Sequence, residues 1–264
     1  MPTSTSSDSP VATDRPRASA EKTRPSVFWP LAGLLVPLLS LLFKLEIEDG
    51  GKLPRDGAYV LAPNHMSEID PLVVALAVWR LGRAPRFMAK ESLFRVPVLG
   101  GVLRATGMVP VARTTSAAAA RATLEASETL VAHGRGVIVY PEGSLTREPN
   151  LWPMRGKTGA VRLALAGGIP VIPMAHWGSQ QVLPRYGKLK LWPLRRRVRV
   201  IVGDPVDLSA YAGSASSQTA LVEATDAVMA DISSLLSQLR DEPAPAQRWN
   251  PADHGQKETG RLEP

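Results

Sequence analysis

The stretch Asn64-His65-Met66-Ser67-Glu68-Ile69-Asp70 sets an imidazole and a carboxylate five residues apart, between the apolar residues 59–62 and the apolar residues 71–76. A histidine whose ring N–H is held by a carboxylate is fixed in one tautomer, and its second nitrogen is then free to act as a base. Five residues correspond to about 140° around a regular helix, so His65 and Asp70 meet only if the chain folds back between strand and helix. A plainer structural reading is also open: Ser67 or Asp70 caps the helix, Pro71 fills its first turn, and His65 is incidental.

Three later stretches bear on that choice: Gly107-Met108-Val109-Pro110-Val111-Ala112-Arg113, then Tyr140-Pro141-Glu142-Gly143-Ser144, then Val171-Ile172-Pro173-Met174. With the His65–Asp70 bend they resemble, in order and approximate spacing, the four sequence blocks of the glycerolipid acyltransferases. The resemblance is to the 1-acylglycerol-3-phosphate acyltransferase family in particular and runs from about residue 45 to residue 207. It departs at one place: the family often has Glu-Gly-Thr-Arg, whereas Ser144-Leu145-Thr146-Arg147 follows Glu142-Gly143 here, so the arginine lies two residues further on.

What the resemblance implies is acyl transfer from acyl-CoA or acyl carrier protein to the free hydroxyl of 1-acylglycerol-3-phosphate, giving phosphatidate, with another lysophospholipid or a glycolipid as the alternative acceptor. The acyl donor would be a co-substrate, with no further cofactor and no metal. Such transfer needs a base on the attacking hydroxyl and donors for the oxyanion. His65 with Asp70 would supply the base. No Ser or Cys nucleophile is then required, and the sequence has neither a Gly-x-Ser-x-Gly elbow nor any cysteine. Arg113, Arg147 and Lys157, in or near the matching blocks, are the candidates for the acceptor phosphate. Glu142 and Gly143 are implied at the acceptor site too. A carboxylate beside a phosphate repels it, so Glu142 is expected to orient an arginine or bond a glycerol hydroxyl. Of the other histidines, His176 lies close to the fourth block, His133 at a helix end and His254 near the C-terminus.

The elements that must position these residues alternate. Residues 59–62, 86–89, 108–112, 136–140 and 171–174 read as strands; residues 71–81, 98–105, 158–166 and 217–239 read as helices, and Thr115 or Ser116 caps a further Ala-rich helix ending before Gly134. The pattern predicts one α/β domain with a mixed, partly parallel sheet covered by helices, over residues 45–240. Connections leaving the strands at His65, Arg113 and Glu142 would then gather at one rim.

Residues 1–25 are rich in Ser, Thr, Pro and charge and read as a disordered arm, and the Pro-rich polar residues 241–264 as a disordered tail. Residues 27–43 carry no charge over 17 positions and follow several basic residues. A helix of that length spans roughly 25 Å, less than a hydrocarbon core, and Pro30 and Pro37 interrupt it, so residues 26–44 are expected to associate with a membrane without a straight crossing. A buried core helix is the other reading. Between Arg185 and Arg199, cations alternate with Leu189, Leu191, Trp192 and Leu194; this suits an anionic membrane interface or a solvated basic edge strand.

Composition sets the outer bounds. The 264 residues are 44% hydrophobic, which excludes a polytopic membrane protein and allows one sizeable core. A formal charge of +7 favours anionic partners. The expected ones are a lysophospholipid, acyl-CoA or acyl carrier protein, and an anionic membrane surface at the cytoplasmic face, with the protein peripheral or monotopic. No nucleic acid is expected. A non-catalytic basic surface protein leaves the order of the four blocks unexplained, and a thioesterase would use His65 on water instead of a hydroxyl.

Overall fold

The computed structural model describes residues 22, 26–111 and 117–257. Five strands form the main sheet in the order β1 (Phe43–Glu48), β7 (Arg196–Val202), β6 (Val171–Trp177), β2 (Tyr59–Pro63), β5 (Gly136–Ile138). Every neighbouring pair is parallel except β6 with β7. β3 (Met88–Lys90) and β4 (Val109–Val111) make a second, two-stranded parallel sheet, joined to the first where Phe87 bridges Ile138. The expected mixed α/β domain is therefore the one observed.

Alternation along the strands divides the core. Leu61, Ile138, Ile172, Met174, Val198 and Val200 face α1 (Phe28–Leu42) and α2 (Asp70–Arg80). Val60, Ala62, Val137 and Val171 face α4 (Ala117–Ala132), α5 (Gly159–Gly167) and α7 (Gln218–Arg240), while α3 (Leu99–Ala105) and α6 (Ser179–Val182) are short. A strand covered on both faces has no polar side, which is why β2 is buried at all five positions and reads in sequence as an unbroken apolar run. α7 begins where Ser217 Oγ accepts the Ala220 N–H, and buries Leu221, Ala224, Val228, Ile232, Leu235 and Leu239, spaced three or four apart.

Three sequence expectations are corrected or refined. The basic stretch does contain a strand, but β7 lies inside the sheet and not at its edge. Val198, Val200 and Val202 are fully buried, while Arg197 and Arg199 pair with Glu46 and Glu48 of β1 at 2.6 and 2.8 Å. Residues 241–257 take a defined path where composition reads disorder: the Arg155 N–H donates to the Trp249 carbonyl at 2.8 Å, Arg248 pairs with Asp226 at 2.6 Å, and Pro251–His254 forms a 3-10 turn. Composition misses this because backbone bonds and ion pairs hold much of the segment, with Pro251 buried, Ala244 packed on the core and the Trp249 and His254 rings stacked. α1 is a single 15-residue helix. Phe28 and Leu39 are buried and Leu35, Val36 and Leu42 pack on the core, so the core-helix reading accounts for one of its faces. Among the described residues no helix is long and apolar enough to cross a membrane. The arm expected over residues 1–25, apart from Lys22, and residues 258–264 lie outside the described residues, as do Thr115 and Ser116.

Leu236, fully buried with Met66, Trp152 and Ile201, ties α7 to the bend that carries His65. Leu236→Ala is expected to lower unfolding stability by ~2–5 kcal/mol. A loss below about 1 kcal/mol in urea titration would show that this seam is not tightly packed.

Candidate active site

β2 runs between β6 and β5, and the chain turns at its C-terminal end through Asn64–Ile69 before α2 begins. The turn does fold back. The Asp70 N–H donates to the Ser67 carbonyl at 3.1 Å, and Asp70 Oδ2 lies 3.0 Å from His65 Nδ1. The same oxygen accepts the N–H groups of Met66 (2.7 Å) and Ser67 (2.8 Å), and Oδ1 accepts the Ser179 hydroxyl at 2.6 Å. A carboxylate only accepts, so His65 Nδ1 carries the proton and Nε2 keeps its lone pair. Asp70 is therefore no helix cap; it bonds the residues before it and holds the ring. Its side chain is fully enclosed, whereas that of His65 is 16% exposed.

Burial pushes the Asp70 carboxyl up, but the charge of His176 and the bond from His65, with the Ser179 hydroxyl, outweigh it and leave the group below the ordinary carboxylate range. The His176 contribution exists only when that imidazole is protonated. Burial drives His176 down, towards the neutral form, so at neutral pH the bonds from His65 and Ser179 matter most. His176 is a structural member of the site. Its Nε2 is 3.0 Å from the Asn64 carbonyl, and the Asn64 amide spans the His176 backbone, accepting its N–H at 2.9 Å and donating to its carbonyl at 3.2 Å.

Beyond β5, the Val139 N–H donates to Leu61 at 2.9 Å and prolongs the pairing. This brings Tyr140 onto the His65 ring, with centroids 4.1 Å apart and planes at 24°. Glu142 is fully buried; Oε1 accepts the His65 N–H at 2.9 Å and Oε2 the Met154 N–H at 3.1 Å. Burial pushes its carboxyl up to about 8 in spite of these bonds, so it is mostly neutral at pH 7. Glu142 thus holds the His65 backbone, and no arginine is needed to cancel a charge on it. Gly143 has φ +69°, and a Cβ there would come within 3.0 Å of Lys157 Cδ, so the lysine stem lies across a position that favours glycine. Glu142 and Lys157 border one cavity of about 200 Å³ with Arg155, Thr158 and Gln218; His65 does not border it.

The structure thus brings together His65, Asp70 and Glu142, and sets Lys157 over Gly143. Arg147 is 2% exposed and enclosed in the domain, next to Thr146, whose N–H donates to the His65 carbonyl at 2.7 Å. Arg113 lies outside the described residues. Sequence reasoning missed Asn64, Tyr140 and Ser179. Asn64 and Tyr140 stand inside the quoted motifs, whereas nothing in the sequence around Ser179 marks it.

With this geometry in place, comparison with known proteins decides the family. Residues 44–177 match the family described as Acyltransferase. The chain belongs to that family. The 1-acyl-sn-glycerol-3-phosphate acyltransferase of Bacillus subtilis (strain 168) is 29% identical over 212 residues, 79% of this chain and 98% of its own length. The chloroplastic 1-acyl-sn-glycerol-3-phosphate acyltransferase BAT2 of Brassica napus is 29% identical over 165 residues, 62% of this chain; the match spans 45% of that longer protein. The crystal structure of the 1-acyl-sn-glycerophosphate (LPA) acyltransferase PlsC from Thermotoga maritima aligns with a TM-score of 0.56 at 22% identity, over 79% of this chain and 74% of that one. This last likeness is one of fold.

The Glu142 carboxyl makes a pH prediction for the acyltransferase. Its folded value of about 8 lies above the ordinary value of 4.5, so between these the folded state keeps a proton that the unfolded state releases. Its contribution to stability is complete below pH ~4.5 and is lost as pH rises towards ~8, by up to ~1.4 kcal/mol per pH unit. Glu142→Gln should remove that slope. Urea titrations from pH 5 to pH 8 check it; a constant offset between wild type and variant would refute the raised value.

Proposed function

We propose that this acyltransferase moves a fatty acyl group from acyl-CoA or acyl carrier protein to the free hydroxyl of 1-acylglycerol-3-phosphate, giving phosphatidate at the cytoplasmic face of a membrane. The observation that carries the reading is the His65–Asp70 pair, with Nδ1 anchored at 3.0 Å and Nε2 left with its lone pair. In this reading His65 Nε2 takes the proton of the acceptor hydroxyl as its oxygen attacks the thioester carbonyl carbon. The carbon–sulfur bond then breaks, and the leaving thiolate takes the proton from the imidazolium. Asp70 stabilises that imidazolium and keeps the ring from turning. The acceptor is read from the names of the relatives in Bacillus and Brassica and from the cations of the matching blocks.

Arg113 and Lys157 are assigned to the acceptor phosphate, and the enclosed Arg147 is not. A dianion is held best by at least two fixed cations, and arginine presents a planar fork to two oxygens at once. Glu142, held neutral, does not oppose a phosphate placed near Gly143.

Purified protein with labelled acyl-CoA or acyl carrier protein and a panel of lysolipids tests the reading directly. Phosphatidate is the expected product; free fatty acid, or another lysolipid acylated in preference, would overturn the assignment. His65→Ala should lower kcat by ~10²–10⁴ while the far-UV circular dichroism stays that of the folded domain, and near wild-type turnover would remove His65 as the base. Arg113→Ala should raise KM for lysophosphatidate more than KM for the acyl donor, with Arg113→Lys recovering only part of the loss. Unchanged acceptor KM and kcat would place the phosphate elsewhere.

A further inference from the structure

The connection between β6 and β7 joins the catalytic bend to the outside of α1. At its start the Ser67 hydroxyl donates to the Leu183 carbonyl at 2.5 Å, and the Tyr186 N–H donates to Glu68 Oε1 at 3.1 Å. At its end the Arg195 N–H donates to the Leu41 carbonyl, the last turn of α1, at 3.0 Å. Between these fixed points Leu189, Leu191, Trp192 and Leu194 are 52%, 52%, 80% and 41% exposed. The face of α1 turned away from the core continues the patch, with Leu34, Leu38 and Leu41 exposed at i, i+4 and i+7. Seven large apolar side chains thus lie open among the described residues along a path that begins at Ser67 and Glu68.

A soluble surface scatters such side chains, and a concentrated set marks an interface. The charge pattern selects the partner. Lys188, Lys190 and Arg195 are exposed and interleaved with the leucines and Trp192, whereas the nearby Arg197 and Arg199 are paired with β1. The core of a protein–protein interface is depleted in lysine. A bilayer with anionic lipid takes both components at once: leucines enter the acyl region, tryptophan sits at headgroup level, and cations meet the lipid phosphates.

We propose that the 188–195 loop is itself a docking surface for an anionic lipid bilayer, adjoining the outer face of α1, and that it seats the His65 rim against the lipid that holds its acceptor. This deepens the acyltransferase reading by naming what presents the substrate, and it rests on that reading for the identity of the rim. The loop is a membrane contact separate from the apolar helix, and α1 alone is not sufficient.

The test uses the full chain with vesicles of phosphatidylcholine alone or mixed with phosphatidylglycerol. Wild type should bind the mixed vesicles more tightly, and Leu191→Asp combined with Trp192→Asp should weaken that binding by about ten-fold or more. The conservative variant Trp192→Phe guards against misfolding: brominated lipids should quench wild-type fluorescence more than that of Trp192→Phe. Binding of the Asp double variant within about two-fold of wild type, or equal quenching in wild type and Trp192→Phe, would overturn the proposal. Turnover on a short-chain lysophosphatidate dispersed as monomers should be the same in wild type and the loop variants. Wild-type protein that binds vesicles but lacks this turnover would sink the catalytic reading and leave the docking surface standing.

Discussion

The buried Asp70 carboxylate is the constraint around which the site is arranged. A carboxylate enclosed by protein is costly unless it is fully hydrogen-bonded, and removing a partner costs more than the bond itself contributes. Here the partners come from separate parts of the chain: two backbone N–H groups of the bend, the His65 ring, and Ser179 beyond β6. The fold-back that joins residues five apart is also the geometry that satisfies the charge. The His65 ring takes its orientation from this condition.

Topology brings those partners to one place. β2, β5 and β6 are mutually parallel, so their C-terminal ends open on the same rim, with His65 after β2, Glu142 after β5 and Ser179 after β6. The register of β2 on β6 sets Pro63 opposite Met174. A slip of one residue would turn the strand faces over and carry Ser179 away from Asp70. Asn64 and His176 pin this register by bonding each other's backbone across the strand ends. The site is thus positioned by sheet pairing, and the two core clusters, by holding helices on both faces, keep that pairing in place.

Much of this was legible in the sequence because His65 and Asp70 are close along the chain. The spacing of His65 and Asp70 demands a bend, and the apolar runs on either side say which elements it joins. Ser179 was not legible, since it lies 109 residues from its partner and follows a glycine at φ 118° that carries no signature of its own. β1 and the interior position of β7 were hidden by charge: Lys44, Glu46, Arg197 and Arg199 alternate with buried Phe43, Leu45, Val198 and Val200, and ion pairs join the charged residues of the two strands. The exposed side of α1 resisted reading for the opposite reason, as its apolar residues continue all round a helix of which only one face meets the core.

The electrostatics of Glu142 bear on the expectation that a carboxylate there would repel an anion. Burial keeps it mostly protonated at neutral pH, so it contributes geometry without a full negative charge. Asp70 is then the carboxylate that both contacts the His65 ring and stays ionised, and the two acids divide their roles: one fixes the backbone of His65, the other the ring. A neutral Glu142 leaves Arg155, Lys157 and Asp226 as the charged residues that border its cavity, so the balance of sign there is positive.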